Sequence, residues 1–291
     1  MEIRSVGIIG AGQMGTGIAQ VTCLAGIDVY LKDVSMNEVE RAISTIGAAL
    51  ARKISKGTIT QAQRVEAVQR IKPTSTYLDF GNCDLVIEAA TESDDVKQRI
   101  FSELCPALKP AAILASNTST ISITHLASMT DRPGQFIGIH FMHPVAAMEL
   151  VELIQGIATN DATFESAKAF VTTVGKTITV SADFPAFIVN RMLLPLINEA
   201  IYTLYEGVGS VDAIDTAMRQ GAHHPMGPLE LADFIGLDTC LSGIQALHNG
   251  LSDTKYRPCP LLVKYVEAGW LGRKVGRGFY DYRGEKPVPT R

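Results

Sequence analysis

The stretch from Val6 to Asp33 constrains this chain more than any other. Residues 3–9 are short, apolar and β-branched, as a buried parallel strand requires. Gly10, Gly12 and Gly15 follow at the G-x-G-x-x-G spacing. The first glycine permits a tight turn, the second lets backbone approach a pyrophosphate, and the third lets helix pack on strand. Met14, Ile18, Val21 and Ala25 continue an apolar helical face, so a helix opens just after the turn. Its N-terminal N–H groups and dipole favour a phosphate. A second strand, residues 27–31, leads to Asp33, about 20 residues past the motif, where an acid meets a ribose diol. With no arginine beside it, Asp33 repels a 2′-phosphate, so NAD is expected over NADP. Gly10, Gly12, Gln13, Met14, Gly15 and Asp33 form the predicted dinucleotide site.

With 291 residues, the chain is long enough for two domains and a sizeable core. A formal net charge of −4 argues against nucleic acid or an anionic membrane as partner. Cys23, Cys83, Cys105, Cys240 and Cys259 show no disulfide or C-x-x-C pattern, which points to reduced thiols and a cytoplasmic setting. Glu2 and Arg4 lead straight into the first strand, so no signal peptide is expected. The longest apolar run, 184–197, holds Asn190, Arg191 and Pro195, which makes it a core helix rather than a membrane span.

Strands and helices alternate as far as residue 182. A long helix is expected over 35–56, with Ser35 and Glu38 forming a capping box and Arg52, Lys53 and Lys56 at its end. Those bases match the helix dipole. Further helices are expected over 61–69, 94–108 and 162–174, and strands over 85–88, 111–115, 136–141, 148–154 and 177–180, with a short strand from Ile71. Polar clusters at Glu88–Glu92 and Ser116–Thr120 fall where open α/β sheets place ligands. From Asp183 on the chain reads as helices: 183–206, opened by Asp183 as cap and Pro185, then 211–220, 229–247 and 261–268. The tail after Tyr282 is expected to be loose. The predicted architecture is an N-terminal Rossmann-type parallel-sheet domain over 1–182 and an all-α domain over 183–291.

His140 and Glu152 each interrupt an apolar strand, and short connections make those strands neighbours. A carboxylate in such a strand costs several kcal/mol unless partnered. A histidine beside it gains a fixed tautomer and greater basicity, the arrangement that takes a proton from an alcohol. A satisfied core histidine is the alternative. His140 and His143 with Glu152 lack a zinc spacing, so no metal is expected. His223 and His224, before Pro225, read as a loop feature. Asn190 suits a polar cavity at the domain junction.

These residues resemble the L-3-hydroxyacyl-CoA dehydrogenase family, nearest its bacterial 3-hydroxybutyryl-CoA members. The likeness runs from Val6 to about Tyr282. It rests on the glycine motif and on Ser116–Ser119, His140-Phe141, Leu150–Leu153, Phe187–Arg191, Pro225–Pro228 and Gly276–Tyr280. The resemblance implies reversible, NAD-dependent oxidation of a short-chain (S)-3-hydroxyacyl-CoA to the 3-oxoacyl-CoA. It implies a soluble homodimer joined through the helical domain. In it, His140 is the base and Glu152 its orienting acid, while Ser119 and Asn190 bond the substrate oxygen or shape its pocket. Glu92, Lys97, Ser119, His143 and Lys274 match cofactor-contacting positions, and Lys56 a coenzyme A contact. His143 stands where the family usually has asparagine, and Glu149 where it has a base. Dehydrogenases of free 3-hydroxyacids carry a lysine at the place of Ala186, which counts against that group. A non-catalytic, crystallin-like role is opposed by the intact His140, Glu152 and Asn190.

Overall fold

A computed structural model describes residues 1–290. The chain forms two compact units, Met1–Phe184 and Pro185 onward.

In chain order the first unit comprises β1 (Ser5–Ile9), α1 (Gln13–Leu24), β2 (Asp28–Lys32), α2 (Met36–Ser55), α3 (Gln61–Gln69), β3 (Ile71–Thr74) and β4 (Leu85–Glu88). There follow α4 (Asp94–Leu104), β5 (Ile113–Ser116), α5 (Ile123–Ser128), β6 (Phe136–Phe141), β7 (Leu150–Gln155), α6 (Asp161–Thr173) and β8 (Thr177–Ala182). The strands form one sheet in the order β3-β2-β1-β4-β5-β6-β7-β8. Its first six strands are parallel, in the order of a doubly wound dinucleotide fold. β7 then turns back antiparallel to β6, with β8 parallel to it. β4, β5 and β6 are buried at every residue, which is why they read as apolar runs broken only near their carboxyl ends by Glu88, Ser116 and His140. Pro73 is tolerated because β3 lies at the sheet edge. Val39, Ala42, Ile46 and Leu50 give α2 a buried stripe at helical spacing.

Local details depart from the sequence reading. Ser35 caps α2 through Asn37 N–H, and Glu38 pairs with Arg41, so no capping box forms there. The box closes instead at α3, between Thr60 and Gln63. Pro106 ends the helix expected over 94–108 in a 3-10 turn, Cys105–Ala107. Asp183 does not open the next helix. Its carboxylate accepts from the N–H groups of Ile123 (2.9 Å) and Thr124 (2.8 Å) and from the Ser122 hydroxyl (2.8 Å), fixing the start of α5.

The second unit holds α7 (Val189–Tyr205), α8 (Val211–Thr216), α9 (Pro228–Ile235), α10 (Leu237–Leu251) and α11 (Pro260–Glu267). α7 begins only at Val189 because Ala186 (φ 63°) and Phe187 (φ 53°) are left-handed, which a right-handed helix cannot include. The helix expected over 229–247 is two, broken at Gly236 (φ 104°). A π-turn, Ala217–Gly221, follows α8. Leu194, Ile197, Ile201, Leu229, Leu237 and Ile244 are core residues here. The tail is not loose. β9 (Tyr280–Asp281) pairs with β10 (Val288–Pro289), and buried Asp233 accepts from the N–H groups of Phe279 and Tyr280, each at 2.9 Å, and from the Tyr282 hydroxyl at 3.0 Å. A side chain at Gly278 would collide with that carboxylate.

Candidate active site

The glycine turn lies at the carboxyl end of β1. Gly12 is the N-cap of α1 and supplies no side-chain cap, and a Cβ built on it meets nothing within 4 Å. The first N–H groups of α1 therefore open on vacant space, a ready cradle for an anion. Gly15 packs so closely on the Gly10 carbonyl that any side chain would clash. Asp33, just past β2, accepts from Ala11 N–H at 2.5 Å and Val34 N–H at 2.6 Å, which holds the acid against the turn. This cradle and acid fit a dinucleotide with an unphosphorylated ribose.

A cavity of about 760 Å³ adjoins the turn. Gln13 and Thr16 line one side, Arg52, Lys53 and Lys56 of the α2 end another, and residues 143–147 a third. Those three bases give one wall of the cavity a positive charge. Lys176 holds the third wall in place, donating to the carbonyls of Val145 (2.6 Å) and Met148 (2.7 Å). Burial and the nearby Lys53 charge hold its ammonium below the usual lysine range.

His140 and Glu152 stand directly opposite in the antiparallel β6–β7 pair. The His140 Nδ1 lies 2.7 Å from Glu152 Oε2, and the two residues are 6% and 0% exposed. A buried carboxylate demands a donor, so Nδ1 carries the proton and Nε2 is the proton-accepting nitrogen. The Asn117 side-chain carbonyl accepts from Phe141 N–H at 2.9 Å and steadies the strand end beside His140. Among the described residues, no group of three or more His, Cys, Asp or Glu is placed to hold a metal ion.

A third cluster joins β4, α4 and the loop after β5. Glu92 accepts from Ser119 N–H (2.6 Å), the Ser119 hydroxyl (3.0 Å) and the Thr118 hydroxyl (2.9 Å). Lys97 is 1% exposed and donates to Glu88 at 2.6 Å, with Glu92 at 3.5 Å. Lys97, expected at a cofactor-contacting position, is thus an ammonium buried on Glu88. In the second unit, Asn190 sits in the first turn of α7, and Lys274 is bound to both oxygens of Asp238 at 2.6 Å. His143 lies exposed on the cavity wall and Lys56 caps α2. The sequence names Glu88 and Ser116 only as members of polar clusters at strand ends, and it does not mark Lys176. Glu88 carries the same signal that singled out Glu152, an acid in an apolar strand, whereas Lys176 carries none.

The chain matches two family models: the NAD binding domain of 3-hydroxyacyl-CoA dehydrogenase over residues 5–184, and the C-terminal domain of that enzyme over residues 187–282. It is 67% identical over 289 residues to a 3-hydroxybutyryl-CoA dehydrogenase of Bradyrhizobium diazoefficiens, covering 99% of each chain. A probable 3-hydroxybutyryl-CoA dehydrogenase of Bacillus subtilis is 50% identical, covering 97% of this chain and 98% of that one. The crystal structure of (S)-3-hydroxybutyryl-CoA dehydrogenase from Ralstonia eutropha superposes with a TM-score of 0.94 at 46% identity, over 97% of this chain and 100% of the other. The N-terminal unit is thus an NAD-binding Rossmann domain, and the chain belongs to the 3-hydroxyacyl-CoA dehydrogenase family.

Proposed function

We propose that this enzyme interconverts short-chain (S)-3-hydroxyacyl-CoA, 3-hydroxybutyryl-CoA foremost, and the 3-oxoacyl-CoA. The observation that carries this reading is the buried His140–Glu152 pair at the carboxyl edge of the sheet that holds the glycine turn. His140 Nε2 takes the hydroxyl proton of the substrate, and Glu152 holds the ring and balances the imidazolium that forms. Bound NAD supplies the hydride acceptor. The α1 N-terminus binds its pyrophosphate, Gln13 and Met14 flank that turn, and Asp33 binds the adenosine ribose. Glu92, Lys97, Ser119, His143 and Lys274 are assigned to the cofactor side, with Lys97 acting through Glu88 and Glu92. Ser119 and Asn190 are assigned to the substrate oxygen.

Lys56, with Arg52 and Lys53, is assigned to the coenzyme A phosphates. The cavity they line supports that over simple dipole matching. Charge reversal at Lys56 is expected to raise the KM for acyl-CoA far more than that for a short acyl thioester lacking the nucleotide. Equal effects on both would restore dipole matching. The helical unit is assigned to homodimer formation, on the strength of the family resemblance. A cytoplasmic setting is supported by five free, buried cysteines. Among the described residues no helix is long and apolar enough to cross a membrane.

Oxidation of NADH by acetoacetyl-CoA tests the whole reading. Turnover that fades as the acyl chain lengthens is the expected result. Absence of turnover with any 3-oxoacyl-CoA would remove it.

A further inference from the structure

Glu88 is the last residue of β4 and is 0% exposed. Its carboxylate accepts from Ala90 N–H at 2.7 Å, from Lys97 Nζ at 2.6 Å and from the Ser116 hydroxyl at 2.6 Å. A buried ion pair of this kind is a poor route to stability, because desolvation offsets most of the attraction. Its worth must be sought in what it positions.

Lys97 has Glu88 on one side and Glu92 on the other, at 2.6 and 3.5 Å. Glu88 and Lys97 are closed off from water, while the Glu92 side chain is 37% exposed. Glu92 in turn bonds both the N–H and the hydroxyl of Ser119. The charges thus run as a ladder from the sheet interior to the site: acid, base, acid, serine. Ser116 and Thr118 add hydroxyls to it but no charge.

We propose that Glu88 is a positioning residue for the hydroxyl of Ser119. By holding the Lys97 ammonium at a fixed depth, it keeps Glu92 turned toward Ser119. The Ser119 proton is then committed to Glu92, and the serine oxygen faces the ligand as an acceptor. An acceptor there suits a donor hydroxyl, such as that of a 3-hydroxyacyl group or a ribose. This rests on the proposed dehydrogenase reaction and deepens it by naming what sets Ser119.

The test compares wild type with Glu88→Gln and with the double variant Glu88→Gln/Lys97→Met, following thermal stability and the kinetics of NADH-linked turnover. Glu88→Gln leaves buried Lys97 with only the more distant, partly exposed Glu92 as counter-charge, so both Tm and turnover fall. The double variant removes both charges from the interior, and its Tm is expected to recover. Its kcat is expected to stay at least about tenfold below wild type, because Glu92 still lacks the ammonium that places it. Its KM for acyl-CoA should move less than kcat, since the coenzyme A grip lies elsewhere. Recovery of both Tm and kcat in the double variant would overturn the proposal and leave the pair purely structural. Unchanged kcat in a folded Glu88→Gln protein would do the same. Lack of turnover in wild type is a separate result and counts against the reaction itself.

Discussion

At the residue scale the proposed chemistry rests on His140 and on Glu152 opposite it. Glu152 fixes the His140 tautomer through Nδ1, and His140 gives the buried Glu152 carboxylate a donor. A positioned general base contributes about 10²–10⁴ in rate. His140→Gln is therefore expected to lower kcat by about that factor while NADH binding, read by fluorescence titration, is kept. Glu152→Gln should lose much of the same factor, and the double variant little more, because the two act as a unit. Near-wild-type turnover in either single variant would take the pair out of the mechanism. Asp33 makes the other residue-scale prediction. Replaced by alanine, it should weaken NADH binding and narrow the preference for NADH over NADPH. A wild type that uses both cofactors equally would show that Asp33 does not select. Both sites were legible in the sequence for one reason: each puts a polar residue where an apolar strand or a tight turn has no local use for it. Glu88 obeyed the same rule, but its strand end was absorbed into a general polar cluster. Lys176 was not legible at all, because its partners are main-chain carbonyls nearly 30 residues earlier, which leave no mark in composition.

At the scale of elements, the eight strands of the large sheet were legible to within a residue or two, as were α3 and α6, whereas other helix ends and the β9–β10 pair were not. Buried parallel strands advertise themselves by continuous apolarity, whereas caps depend on which donor a side chain finally meets. Asp183 shows the difference: before Pro185 it reads as the cap of the following helix, yet it serves α5, some 60 residues back. The left-handed pair Ala186 and Phe187 delays α7 in a way no propensity scale foresees. The loop after β6 is turned by the N–H groups of Ala147 and Met148, which donate to the Pro144 carbonyl, and Lys176 supplies two charge-assisted bonds to its carbonyls. Such bonds are worth roughly 1.5–3 kcal/mol each. Lys176→Met is expected to loosen this wall of the cavity and raise the KM for acyl-CoA about tenfold, equivalent to roughly 1.4 kcal/mol. kcat at saturation should change little, and Lys176→Arg should recover most of the loss. If KM is unmoved in Lys176→Met, the loop does not contribute to substrate binding.

At the scale of the whole molecule, two compact units need separate probes, because their unfolding need not be one two-state event. The chain has a single tryptophan. Trp270 lies in the second unit, edge-on to Tyr265 at 5.1 Å, with the Arg277 guanidinium 3.9 Å from its ring. Its fluorescence therefore follows that unit alone. The same unit holds Asp233, whose carboxyl is raised to about 6, first by burial and then by the nearby Asp215 charge, against the opposing pull of its three donors. An aspartate in the unfolded chain titrates near 3.9. Between these values the folded state holds a proton that the unfolded state has released. Stability from this group is accordingly full below about pH 4 and is lost as pH rises through 6. About two pKa units correspond to an upper bound near 3 kcal/mol. Carboxylates shifted the other way, Asp238 beside Lys274 among them, gain stability as pH rises and partly mask the effect. The clean measurement is therefore a difference. Asp233→Asn destabilises at every pH, since its amide cannot accept all three donors. The gap to wild type, from denaturant curves followed at Trp270, should be widest at pH 4 and shrink by up to about 3 kcal/mol toward pH 7. A gap that stays constant or widens over that range would show that Asp233 is ionised throughout and that its three donors outweigh its burial.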